Sequence, residues 1–247
     1  MNTTTLQSLS SFSIKHKWML NWERVASNHQ KGVIYEISKK EKKALEAIAS
    51  VGVIGGLQLS RLFHLDKKQI SKMVYQRKII RHEIIRNKIA IPVYTLGSTG
   101  IAKIAPRNIE NYWFEYKKED LLKRLTFFQF FELFPKEIAR IAPAPKPFSG
   151  TIYVNKTPFY IYVSRGKLDD LLLFLKYGPF HERMMIISEN LEDLKPLDLY
   201  VKDLKIRATT DADLKKGFQN AFYLPILNKI TNTIEWTAES VIRGKQK

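Results

Sequence analysis

The sequence predicts an α+β fold: three short helices and a β-hairpin, then a long connecting helix, then a small C-terminal α/β sheet domain. Three observations predict it. Helix-capping signals punctuate residues 38–77, two β-rich runs meet at Asn87-Lys88, and beyond residue 150 short β-rich runs alternate with helical ones. Of the 247 residues 45% are hydrophobic, enough to bury a core and to exclude global disorder.

The elements follow in order. Residues 1–37 read as an N-terminal extension, rich in Thr and Ser at its start. Ser38-Lys39-Lys40-Glu41 has the form of a capping box, in which the Ser38 hydroxyl accepts from the Glu41 amide and the Glu41 carboxylate reaches back. The helix behind it places Leu45, Ile48 and Ala49 on one side and ends at Gly52. A second helix, from about 56 to 63, offers Leu57, Leu59, Leu62 and Phe63 to the core. His64-Leu65-Asp66 makes a turn, and Asp66 can cap a third helix running from about 67 to 77.

On that third helix Ile70, Met73 and Val74 fall at i, i+3 and i+4 and should pack inward. Lys68, Ser71, Lys72 and Tyr75 then share the opposite face, flanked by Lys67, Gln69 and Gln76. The runs 79–86 and 89–95 form a hairpin around Asn87-Lys88, with Pro92 confining the second run to an edge or interrupting it. Helix, helix, third helix and basic hairpin, in that order, make a winged helix-turn-helix over 38–105.

Charge supports a nucleic-acid partner. The net charge is +17, and residues 38–105 hold 14 Lys/Arg against 4 Asp/Glu, a net +10 in about a quarter of the chain. Local concentration of this kind is what phosphate neutralisation by one module requires. Double-stranded DNA is therefore the expected partner. The third helix is the element expected in the major groove, because lysines suit phosphates or guanine acceptors and Gln suits adenine. The expected contacts are Lys67, Lys68, Gln69, Ser71, Lys72, Tyr75 and Gln76 on the helix, with Arg81, Arg86, Asn87 and Lys88 on the hairpin. A homodimer is expected, since such modules commonly bind symmetric sites.

The hairpin's exit, Val93-Tyr94-Thr95-Leu96-Gly97-Ser98-Thr99-Gly100, resembles the segment that closes the wing in the replication-relaxation family, proteins encoded largely by plasmids, phages and other bacterial mobile elements. The order of parts over 38–215 resembles that family too. The resemblance implies a role in replication or transcription regulation on a mobile element; the residue chemistry implies DNA binding alone.

Residues 106–142 read as a connecting helical region. From 117 to 134 the apolar positions approximate helical spacing, with more Phe than one amphipathic face requires. That excess fits either a helix sandwiched between two domains or a dimerisation helix. Three alternating prolines, Pro143, Pro145 and Pro147, exclude helix and suggest an extended linker, or else a stiff loop within one domain. Beyond them, 150–247 reads as an α/β domain with strands at 150–154, 159–163, 183–188 and 205–210, and helices at 168–177 and 191–197.

That strand order resembles restriction-endonuclease-like nuclease cores, so a DNA-processing enzyme or a degenerate nuclease relative is the alternative reading. Such an enzyme needs carboxylates on the hairpin strands to hold Mg²⁺. The 159–163 strand carries none, and the pairs Asp169/Asp170 and Asp211/Asp213 fall outside the strands. There is no P-loop, no metal-like spacing among His16, His29, His64, His82 and His181, and no cysteine. The expectation is a protein that is not an enzyme and uses no cofactor or metal. A basic protein-interaction module is a third reading. The sequence shows neither a signal peptide nor a membrane-spanning run, so a cytoplasmic protein with no membrane partner is expected.

Overall fold

A computed structural model of the chain describes residues 9–23, 36–104, 115–217, 221–231 and 233–239. The expected boundary near residue 105 lies outside the described residues, as does His29. The architecture is mixed α+β, with one four-stranded and one seven-stranded sheet. Among the described residues no helix is long and apolar enough to cross a membrane.

The capping chemistry sets the first helices. Helix α1 (Lys39–Val51) starts at Ser38, whose hydroxyl accepts from the Glu41 amide while the Glu41 carboxylate accepts from the Ser38 amide at 2.8 Å. It stops at Gly52, where φ is +109°. Then come a two-residue strand β2 (Ile54–Gly55), helix α2 (Gly56–Phe63) and helix α3 (Lys67–Tyr75). Strands β3 (Ile79–Arg86) and β4 (Ile89–Leu96) form the expected hairpin. Pro92 does not interrupt β4. On the side away from β3, the short β2 covers only Val93 and Tyr94.

Two additions escaped the sequence reading. Residues 18–21 of the N-terminal extension are a strand, β1 (Trp18–Asn21), which pairs with β3 and completes the sheet order β1-β3-β4-β2. After the hairpin comes a short helix, α4 (Ser98–Ile104). Leu57, expected in the core, is 71% exposed, while Leu59 and Leu62 are buried.

Helix α5 (Lys118–Phe131) packs on β2 and on the second sheet. Leu121, Leu122, Leu125, Phe127, Phe128, Phe130 and Phe131 are all buried within the chain. The surplus of aromatics thus serves packing inside the molecule, not a dimer stripe. Phe127, Phe128 and Phe130 belong to one apolar cluster that also contains Leu45, Ile48 and Met73 from the first helices and Ile161, Val163 and Ile187 from the second sheet.

The proline run is not a linker between two units. Strand β5 (Ala139–Ala142), inside the region read as helical, pairs antiparallel with β6 (Gly150–Val154), so the prolines join neighbouring strands of one sheet. β7 (Thr157–Val163) follows a second Asn-Lys turn, with Asn155 and Lys156 at φ 46° and 73°. Helix α6 (Asp169–Tyr177) leads to β8 (Arg183–Ser188), and 3-10 helices lead to β9 (Lys205–Thr210), giving parallel pairing of β7, β8 and β9. A last hairpin, β10 (Tyr223–Asn228) and β11 (Thr233–Ala238), was not anticipated. Among the described residues its ladder with β9 is the single pair Tyr223–Ala208.

Candidate nucleic-acid interface

Asp66 caps α3: its carboxylate accepts from the Gln69 amide at 2.8 Å, and the Gln69 side chain accepts from the Asp66 amide at 2.9 Å. The cap fixes the start of the helix and hence its rotation. Ile70 and Met73 point into the core and Val74 is half-buried, which leaves Lys67, Lys68, Ser71, Lys72 and Tyr75 exposed together. Tyr75 is 83% exposed, so its ring takes no part in the core. One expected contact does not join this face: Gln76, past the helix end, is buried with its side-chain oxygen lacking a hydrogen bond. Half-exposed Gln69 gives its side-chain carbonyl to the cap.

The lysines of α3 are electrostatically unbalanced. Among the described residues, ion pairs involving residues 38–104 include Lys42–Glu46, Arg61–Glu132, Lys78–Glu41 and Arg81–Glu83, and none is formed by Lys67, Lys68, Lys72 or Lys88. Lys67, Lys68, Lys72 and Lys88 therefore meet no carboxylate among the described residues. Lys78 is the opposite case: it is buried, donating to the Glu36 carbonyl at 2.7 Å and to Glu41 at 3.2 Å. Its charge is neutralised internally and adds nothing to the surface.

The hairpin turns at Asn87 and Lys88, with φ of 50° and 66°, the two left-handed residues that a two-residue type I′ turn requires. Both side chains are exposed. Arg81 and Arg86 lie on opposite faces of the sheet, because they are five residues apart on one strand. Arg81 is ion-paired to Glu83 at 2.7 Å and lines an open groove of about 630 Å³ with Leu57, Lys67, Ser71 and Tyr94. Arg86 shares its face with His82 and Ile84, the face that packs on Leu121, Leu125, Trp18 and Leu20. Its guanidinium lies 5.4 Å from the Trp18 ring centre and donates to the Ser11 carbonyl at 2.7 Å. Arg86 is thus turned away from α3 and tied to the N-terminal segment, contrary to its expected part in gripping DNA beside α3.

His82 sits in the same packed face. Its Nδ1 accepts from the Glu23 amide at 2.9 Å, so Nε2 carries the proton and donates to Thr95 Oγ1 at 2.8 Å. Burial lowers its pKa to about 4, which keeps the ring neutral.

The hairpin's exit has a steric rationale. A Cβ on Gly97 would stand 2.2 Å from the Arg77 carbonyl oxygen, and one on Gly100 would stand 2.1 Å from that of Lys78. The chain leaves β4 pressed against the backbone that leaves α3, held by Gly97 N–H to Lys78 O at 3.0 Å and Thr99 N–H to Arg77 O at 3.1 Å. Side chains are excluded at both positions.

No family model matches the chain. Nor does any curated protein or solved structure.

At the other end of the molecule the acids singled out for metal binding have different partners. Asp211, just past β9, is buried and takes both carboxylate oxygens to the Arg165 Nη2 at 3.0 Å; it also accepts from the Ser10 hydroxyl. Arg165 itself is buried and donates to Thr126 and to the Ser164 carbonyl. For Asp213, burial opposes ionisation, but hydrogen bonds from Lys216 and Thr210 outweigh it and hold the carboxyl below its usual range. Asp170 accepts from the Tyr162 hydroxyl at 2.5 Å and pairs with Lys123. Among the described residues no group of three or more His, Asp or Glu could hold a metal ion.

Proposed function

We infer that residues 38–104 are a winged helix and that the protein binds double-stranded DNA with α3 in the major groove and the β3–β4 hairpin as the wing. The connection order α1-β2-α2-α3-β3-β4, two helices, a third helix and then a hairpin, supports this reading. The observation that carries the reading is the outer face of α3: Lys67, Lys68, Ser71, Lys72 and Tyr75 exposed together, with no acid among the described residues opposing the three lysines. An isolated helix face of like charges is self-repelling, and phosphates relieve that repulsion. Lys88 at the exposed turn extends the basic surface, while Arg81 in the adjoining groove is paired with Glu83. Arg86 is not part of that surface, nor is Gln76.

A regulator or replication factor of a mobile element is the biological setting we propose. It rests on the resemblance of the 93–100 segment and of the order of parts over residues 38–215 to the replication-relaxation family.

Titration of the full chain against a labelled mixed-sequence duplex across a salt series tests the DNA-binding claim. With four or five phosphates neutralised, log affinity should fall with log salt at a slope of roughly −4. Absence of binding, or binding indifferent to salt, refutes it.

A further inference from the structure

The N-terminal strand carries a pattern that the DNA-binding reading has not used. Lys17, Met19 and Asn21 are exposed, while Trp18, Leu20 and Trp22 between them are half-buried. Such alternation marks a strand with one face covered. β1 pairs Trp18 with Arg86, Met19 with Ile85 and Asn21 with Glu83. Residues paired across antiparallel strands share a face. Met19 and Asn21 therefore lie on the face of Ile85, Glu83 and Arg81, whereas Trp18 lies on the face of Arg86, Ile84 and His82.

The first of these faces is turned towards α3. Asn21, Arg81 and Glu83 line an open groove together with Val74 and Arg77 at the end of α3, and Arg81 also faces Lys67 and Ser71. Lys17 precedes the strand by one residue, in step with Met19 and Asn21. Trp18 already stands opposite Arg86, so Lys17 continues towards the Asn87-Lys88 turn. Its side chain is exposed and has no acid partner among the described residues.

The strand is held in place from both ends. Trp18 Nε1 donates to the Ser13 carbonyl at 2.8 Å, and the Ser13 hydroxyl and Ile14 amide bind Glu189 at 2.6 and 2.8 Å. At the far end the Glu23 amide binds His82. The backbone that carries Lys17 is thus ordered before any ligand arrives, which lowers the entropic cost of using it.

We propose that β1 is a third strand of the wing and that Lys17 neutralises a phosphate of the same duplex that α3 enters. This rests on the DNA-binding reading above. Lys17 supplies from the α3-facing side the charge that Arg86, on the other face, cannot.

The test compares Lys17→Ala, Lys17→Arg and, as a control for total charge, Lys229→Ala, an exposed lysine at the β10–β11 turn. Each full-length variant is titrated with the labelled mixed-sequence duplex between about 50 and 200 mM salt. One lost phosphate contact makes the slope shallower by about 0.9, so Lys17→Ala should lose about 3.5-fold less affinity than wild type over that range. Lys17→Arg and Lys229→Ala should keep the wild-type slope. If wild type binds and Lys17→Ala keeps its slope, or if Lys229→Ala changes as much, the role of Lys17 is overturned while DNA binding stands. If wild type does not bind, the DNA-binding reading fails, and this inference with it.

Discussion

On α3, Lys67, Lys68 and Lys72 project into solvent with no carboxylate opposite among the described residues, whereas at the carboxyl ends of β7 and β9 Arg165 and Asp211 are buried against each other at 3.0 Å. Both regions are rich in charge. In the second, the charges close on themselves and leave no field outside; in the first, the excess is carried on the surface and calls for an external counter-charge. Lys78–Glu41 shows that the distinction is not simply one of position along the chain, since a buried pair also sits within the basic segment. A count of lysines and arginines identifies a basic region, and only burial and pairing show which of them face a partner.

The largest test of this contrast is Arg165→Met. Removing one member of a fully buried pair strands Asp211 without a counter-charge, which costs about 3–5 kcal/mol. Urea unfolding should show the midpoint falling with the slope unchanged. Lys78→Met should cost less, because Glu41 keeps its bond to the Ser38 amide at 2.8 Å. A negligible effect of Arg165→Met would mean that the pair does not govern this end of the sheet.

An intermediate effect is expected from acid. The His82 pKa is lowered from 6.5 to about 4 by burial, so protonation favours the unfolded chain. The stability it contributes is fully present above about pH 6.5 and is lost as pH falls towards 4, on the order of 3 kcal/mol. Unfolding of His82→Gln should show a flatter pH dependence over that window. An unchanged dependence would place the acid sensitivity elsewhere.

The smallest stability effect belongs to Tyr75→Ala. A side chain 83% exposed on a helix should change stability by less than about 0.5 kcal/mol while weakening DNA binding. A loss of several kcal/mol would return the ring to the core and remove it from the interface.

Much of this was legible in the sequence where the signal is local. Ser38, Asp66 and Asn87-Lys88 specify caps and a turn through their own backbone chemistry, and the bounds of β8 and β9 follow from short β-rich runs. What was not legible depends on distant partners. β1 is four residues long and is a strand because β3 lies beside it, more than sixty residues on; its alternation from Lys17 to Trp22 was the available clue. β5 pairs across the prolines that suggested a linker. β10 contains Pro225, which weakens any strand signal. At the candidate site, exposure of Lys68, Ser71, Lys72 and Tyr75 followed from helical period. The burial of Gln76 just past the helix end did not, and the face taken by Arg86 could have been read by counting along β3.

The most direct measurement is the affinity of Lys68→Ala/Lys72→Ala for duplex DNA across the same salt series. If α3 is the docking helix, two phosphate contacts are lost and the slope becomes shallower by about 1.8, roughly a twelvefold smaller loss of affinity between 50 and 200 mM salt. A double variant that binds with wild-type affinity and wild-type slope would contradict the account.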